Sequence, residues 1–326
     1  MRVLIAGATG FVGRALAPEL LEHGLEVRCL VRSADSEPAV ELRRLGCELV
    51  VGDVSDDDGA LERALDGVSV AYFLVHMMGR VEDWAAEERA SARRFGAAAS
   101  AAGVERVIYL GGLGGDDDPT HGHGKPGISA HLRSRHDVAI ALEETGPPLT
   151  YFRAAMIVGA GSESYELLRS IVRRLPALPT PDWLKSKTQP IGIRETVAFL
   201  RDAIDVPESA GREIQIGGPD VLTHLDVVDA MSREMGRNPK RRLAKRKAFD
   251  AVLDAAATPR AVAAAAGALT SGNDEVARAI ALGLPGDTVV TDPSGMELFS
   301  VRPERLSVVI HRAMEEAEDA AEAAQK

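Results

Sequence analysis

The chain has 326 residues, with 38 Lys+Arg against 49 Asp+Glu and a net charge of −11. Hydrophobic residues at 45% exclude a disordered chain, and no apolar run approaches ~18 residues, so no membrane span is expected. The acidic balance argues against a nucleic-acid binder, and two cysteines, Cys29 and Cys47, make neither a disulfide framework nor a zinc cluster. A cytoplasmic globular protein is expected. Its first residues run at once into an apolar strand and a glycine turn, with no leader-like cleavage pattern.

In chain order, strands are predicted at Val3–Ala6, Val27–Val31, Glu48–Val51, Val70–Val75, Arg106–Leu110 and Leu149–Phe152. Helices are predicted between them at Phe11–Leu21, Ala39–Leu45, Asp58–Leu65, Asp83–Ala102 and Ile128–Glu144. Gly24, Gly46, Gly67 and Gly103 stand where helices end. This alternation reads as an α/β fold, a doubly wound parallel sheet with helices on both faces. The pattern then loosens through Pro176, Pro179 and Pro181, and helices return at Thr196–Ile204, Thr223–Met235 and Pro303–Ala324. The expected division is a cofactor domain over residues 1–160 plus parts of 185–220, and a smaller helix-rich C-terminal substrate lobe over 161–326. Lys240–Lys247 carries six cations in eight residues and reads as a solvated edge, ahead of the alanine-rich stretch Ala251–Ala268.

Gly7-Ala8-Thr9-Gly10-Phe11-Val12-Gly13 joins the first strand to the first helix. Gly7 suits a tight turn, Gly10 lets the backbone approach a pyrophosphate, and Gly13 allows close helix–sheet packing. The helix N-terminus offers N–H groups and a positive dipole end to phosphates. An acidic residue at the end of the second strand would bind a ribose 2′-OH. This sequence has Arg32-Ser33 there, which suits a 2′-phosphate, so NADP(H) is the preferred cofactor. Asp35, three residues on, leaves NAD(H) possible. Asp53 and Val54 follow the third strand and can hold adenine, although Asp53 can equally cap the next helix.

Gly7–Gly13, Arg32, Gly52-Asp53-Val54, Gly103–Leu110 and Arg153–Gly159 together resemble the atypical and extended short-chain dehydrogenase/reductases. The nearest likeness is to the bacterial NmrA-like NAD(P)-binding proteins, related to the accessory subunit of respiratory complex I. Phe73–Gly79, Gln189-Pro190-Ile191 and Ile216–Asp220 look like the corresponding stretches of bacterial SDR-family oxidoreductases. The resemblance covers most of residues 1–235 and implies a Rossmann domain, a bound dinucleotide and a small-molecule substrate. It also implies cofactor contacts from Leu74, Val75, His76, Leu110, Gly111, Ala155, Met156 and Ile157.

Members of that family pair Tyr with Lys four residues on, because a phenol near pH ~10 needs a neighbouring ammonium to exchange protons. The four tyrosines here, Tyr72, Tyr109, Tyr151 and Tyr165, are followed at that spacing by His76, Leu113, Ala155 and Arg169. The expected helix offers His131 and Arg135 instead, as a proton donor and a fixed cation. Tyr165, Trp183 and Met156 are candidates for an apolar substrate wall. Asp116–Asp118, His121 and His123 sit in a glycine-rich loop that reads as a lid, with no metal expected. Two functions stay open: a reductase passing hydride from NADPH to a carbonyl or quinone, and a non-catalytic NAD(P)-binding sensor or assembly factor. A bound-NAD isomerase or dehydratase would need an acid–base pair that the sequence does not display.

Overall fold

Near-continuous apolar runs along short strands require a sheet covered on both faces. The computed structural model describes residues 1–56, 59–77, 84–114, 130–174, 185–237 and 286–323, and of residues 130, 131, 171 and 174 the backbone alone. Seven parallel strands form the main sheet: β1 (Arg2–Ala6), β2 (Glu26–Val31), β3 (Glu48–Val51), β4 (Val70–Phe73), β5 (Arg106–Gly112), β6 (Leu149–Ala154) and β10 (Arg212–Ile216). Their order is β10-β6-β5-β4-β1-β2-β3, the Rossmann arrangement with its switch point beside β1.

Side chains divide strictly between the two faces. Val3, Ile5, Val70, Tyr72, Ile108 and Leu110 join the core beneath α1 (Phe11–Glu22), α2 (Glu37–Leu45) and α7 (Ile193–Asp202). Leu4, Ala6, Ala71, Phe73, Val107 and Tyr109 join the core beneath α3 (Ala60–Leu65), α4 (Trp84–Ala101) and α5 (Ala130–Thr145). Gly46 closes α2 in the left-handed conformation, at φ 105°, as its place in the sequence predicts.

The seventh strand escapes the sequence pattern, because Arg212-Glu213-Ile214-Gln215-Ile216 is half polar. Its apolar residues lie on one face only, and Gln215 is buried on the other. Ile214 and Ile216 enter the core, while Glu213 pairs with Arg153 at 2.7 Å on the other side. A third core lies outside the sheet, where α6 (Glu163–Arg174), α8 (His224–Glu234) and α9 (Leu306–Ala323) bury Tyr165, Val172, Met231 and Ile310 together. Short pairs connect this part to the sheet: β7 (Ile157–Val158) runs parallel to β9 (Ile191–Gly192), and β8 (Lys187–Thr188) antiparallel to β11 (Leu222–Thr223). Gln215 Oε1 accepts the Thr291 and Asp292 N–H groups at 2.7 and 3.2 Å, which draws residues 286–292 back across the sheet edge. Among the described residues no helix is long and apolar enough to cross a membrane. The tract 240–247, the stretch 251–268, the glycine-rich loop from 115 and Trp183 lie outside the described residues.

Arg106, at the start of β5, is buried and donates to the Ile204 and Val206 carbonyls and to Ser209 Oγ at 3.0–3.2 Å. Losing these bonds strands polar groups inside. Arg106→Ala is therefore expected to cost about 2–4 kcal/mol, read as a lower urea midpoint.

Candidate functional site

The carboxyl ends of the strands open onto a cleft of about 630 Å³. Its floor is the turn between β1 and α1. Gly7 holds φ +91°, and a Cβ there would lie 2.5 Å from the Leu74 carbonyl oxygen. A Cβ on Gly13 would strike the Gly7 carbonyl. These two glycines are demanded by the fold itself.

Gly10 differs. Its backbone is ordinary extended chain (φ −78°, ψ 172°), and the one protein atom within 4 Å of a Cβ built there is Gly7 O at 3.2 Å. Gly10 caps α1 with no side-chain hydrogen bond, so the first turn of the helix keeps its N–H groups for the cleft. Small size at position 10 matters to what enters the cleft, and a pyrophosphate fits this cradle.

Along one end of the cleft, Arg14, Arg32, Gly52, Asp53 and Val54 line the wall. Asp53 does not cap α3, whose N-cap is Gly59. Its carboxylate instead accepts Ser55 N–H at 3.0 Å and Ser55 Oγ at 2.7 Å, which turns the chain beside the cleft. Ser33 lies outside the lining, exposed, its hydroxyl facing the Asp35 N–H at 3.4 Å in the turn that enters α2. Thr9, Phe11, Val12, Leu74, Val75, His76, Leu110, Gly111, Arg135, Ala155, Met156 and Ile157 all line the cleft.

The strand β4 ends at Phe73, two residues before the predicted end, and this frees Leu74–His76 as cleft wall. Arg135 spans the gap between neighbouring strands, donating to Val75 O at 3.3 Å and to Leu110 O, with its guanidinium 4.9 Å above the Tyr109 ring. Behind it, Glu88 of α4 is 2% exposed. It accepts His76 Nδ1 at 2.6 Å, Met77 N–H at 2.7 Å and Ser134 Oγ at 2.7 Å. Burial pushes the Glu88 carboxyl up, but the His76 bond, the charges of His76 and Arg135 and the Met77 N–H outweigh it and hold the pKa at about 2. The far end is built by Ser162, Ser164, Thr188, His224 and Thr288, the last brought in by its bridge to Thr188.

A model of the NmrA-like family matches residues 1–278. The chain belongs to the NmrA-like family. It is 26% identical over 241 residues to a (4-alkanoyl-5-oxo-2,5-dihydrofuran-3-yl)methyl phosphate reductase of Streptomyces griseus, covering 72% of this chain and 74% of that protein. Among solved structures, UDP-glucose 4-epimerase of Thermotoga maritima superposes with a TM-score of 0.66 at 12% identity, over 98% of this chain and 100% of that one. An Agrobacterium tumefaciens short-chain dehydrogenase/reductase superfamily protein with bound NAD gives 0.55 at 20% identity, over 73% and 84%. At these identities the two structures show the shared fold.

In this NmrA-like chain all four tyrosines are buried, and none of them lines the cleft. Tyr72 donates to Leu200 O at 3.0 Å and Tyr109 to Arg135 O at 2.9 Å. Burial pushes the phenols of Tyr72, Tyr109 and Tyr165 above their ordinary range, the opposite of what proton exchange needs. Tyr165 sits in the third core and supplies no substrate wall. The backbone of His131 belongs to the first turn of α5, and its side chain lies outside the described residues.

Sequence reasoning missed Glu88, although a signal was present. Glu88 falls on the same helical face as Ala92, Phe95 and Ala99, all buried, so a carboxylate there had to be buried too. The folded Glu88 carboxyl titrates at about 2, against ~4.3 for an unfolded glutamate. Its contribution is on the order of 3 kcal/mol, fully present above about pH 5 and lost as pH falls toward about 2. Between about pH 7 and about pH 3, the wild type should lose more urea stability than Glu88→Gln. Equal losses would show that folding does not lower the Glu88 pKa, and a smaller loss in the wild type would show that its carboxyl is held protonated.

Proposed function

We propose that this protein is an NADPH-dependent reductase of a small carbonyl or quinone-like substrate. The observation that carries the reading is Gly10 at the uncapped start of α1, with an ordinary extended backbone and, among the described residues, only the Gly7 carbonyl oxygen near a Cβ built there, at 3.2 Å. The Streptomyces relative, itself named a reductase, supports the same reaction class. When bound, the dinucleotide supplies hydride. The chain's own residues supply the rest. Gly7–Gly13 hold the pyrophosphate, Asp53 and Val54 the adenine, and Ala155–Ile157 line the nicotinamide end. Arg135 braces that end by joining the β4 and β5 termini.

Arg32 is exposed at the end of β2 with Arg14 on the same wall, a pair of cations suited to a 2′-phosphate. The substrate occupies the far end, between Met156, Leu132 and the hydroxyls of Thr188 and Thr288. The residues beyond 160, apart from parts of 185–220 that join the cofactor domain, are read mostly as the substrate lobe, and the apolar core of α6, α8 and α9 gives that lobe its own packing.

The test is NADPH oxidation with a panel of quinones and aldehydes, followed at the reduced-nicotinamide absorbance. Turnover with at least one acceptor is expected. Tight binding without turnover on any acceptor would favour the non-catalytic sensor or assembly factor. Arg32→Ala should weaken NADPH binding by about 10-fold or more while NADH binding hardly changes, and equal loss for both would refute the 2′-phosphate role. Gly10→Ala should weaken both dinucleotides, whereas unaltered binding would remove the cradle from the argument.

A further inference from the structure

We propose that Leu132 is the residue that sets the size of the acceptor this protein reduces, and that Gly112 and Gly114 form the shelf that seats it; this rests on the reductase reading. Leu132 stands in the first turn of α5 and lines the cleft together with Gly112, Leu113, Met156 and Thr288. A Cβ built on Gly112 would lie 2.5 Å from Leu132 Cδ2, and one on Gly114 would lie 3.0 Å from Leu132 Cδ1. Carbon atoms in good contact stand about 3.5–4.0 Å apart. Both δ-methyls therefore rest on bare backbone, in room that exists because two side chains are missing.

The shelf is held from below. Gly112 ends β5 in register with Ala154 of β6, and Leu113 N–H donates to Ala154 O at 2.8 Å. Arg153 is buried under it, donating from Nε to the Gly112 carbonyl at 3.1 Å and from Nη2 to the Gly114 carbonyl at 2.8 Å. Its remaining Nη1 is fixed by Glu213 at 2.7 Å. Moving the shelf would break this buried set of bonds. Moving Leu132 requires only that one side chain change rotamer. A methyl added at Gly112 is thus answered by Leu132 lifting off the shelf into the cleft that it already lines.

Thr288 bounds the same place from the segment that returns across the sheet edge. Its Cγ2 lies 3.4 Å from the Cβ position of Gly114, and its hydroxyl donates to Thr188 Oγ1 at 2.9 Å. The Thr288 methyl and Leu132 Cδ1 therefore converge on one glycine, with Met156 also on the cleft wall. What this wall presents to an acceptor is hydrocarbon, and hydrocarbon selects by shape. One methyl gained or lost in such a wall changes discrimination by about 10-fold or more. Seated, Leu132 leaves room for the apolar flank of the acceptor; lifted, it occupies that room.

The experiment compares kcat/KM for phenanthrenequinone with that for naphthoquinone, a larger and a smaller ring system, both with NADPH. Each turnover moves a hydride from NADPH and one proton from solvent to the quinone, giving the hydroquinone and NADP⁺. Where the wild type takes aldehydes alone, the ratio is that of naphthaldehyde over benzaldehyde, reduced to their alcohols by the same hydride and proton. Gly112→Ala should lower the large-over-small ratio about 10-fold, and Leu132→Ala should raise it. With both substitutions the added methyl meets no δ-carbon, and the ratio should return to that of Leu132→Ala.

A ratio unchanged by Gly112→Ala, or one that Leu132→Ala does not restore, would overturn the proposal. A general structural fault lowers both acceptors alike and is not cured by removing Leu132. If NADPH fluorescence shows no binding to the wild type, or no acceptor is turned over, the reductase reading itself fails. Turnover with a ratio indifferent to Gly112 and Leu132 defeats this proposal alone.

Discussion

The close approach of three backbone segments at Gly7 sets the geometry of the whole site. With φ at +91° and no Cβ, Gly7 lets the end of β1 lie against the Leu74 carbonyl, while Gly13 lets α1 lie against Gly7. Any side chain at either place would push α1 off the sheet or β4 off β1. The same contact fixes where β4 stops and where Leu74–His76 turn into the cleft. The cradle for a phosphate and the wall that carries His76 are thus two consequences of one steric constraint.

A buried charge organises the opposite wall. Glu88 has left water, and an unpaired carboxylate there would cost far more than a hydrogen bond returns. Three donors from two segments, His76 and Met77 after β4 and Ser134 of α5, meet that demand. Arg135, one residue after Ser134, extends the network to the carbonyls of Val75 and Leu110. The α4–α5 pair, the loop after β4 and the end of β5 are held in one register by groups that also face the cleft. Polar satisfaction and site construction are here the same act.

The tyrosines are spent on packing. Tyr109 stacks on Tyr151 with ring centroids 5.3 Å apart, and Tyr72 reaches across the sheet to α7. The hydroxyls of Tyr72 and Tyr109 serve backbone carbonyls, which suits a core and disables an acid–base role.

The sequence by itself determined the six alternating strands, the helices between them and the glycine turn, because each rests on local rules: side-chain period, a left-handed C-cap, a missing Cβ. It also placed Arg32, Asp53 and the turn at Ala155–Ile157 along one carboxyl edge of the sheet, since the strands of a parallel sheet all end on the same side. Tertiary structure decided what depends on one-sided or long-range burial. The edge strand Arg212–Ile216 shows apolar residues on one face only and forms because β6 offers a partner. Thr288 reaches the cleft through contacts spanning about a hundred residues. The pairing of His76 with Glu88 arises because α4 turns a carboxylate inward beneath the end of β4, and the burial of that charge, more than any motif, selects its partner.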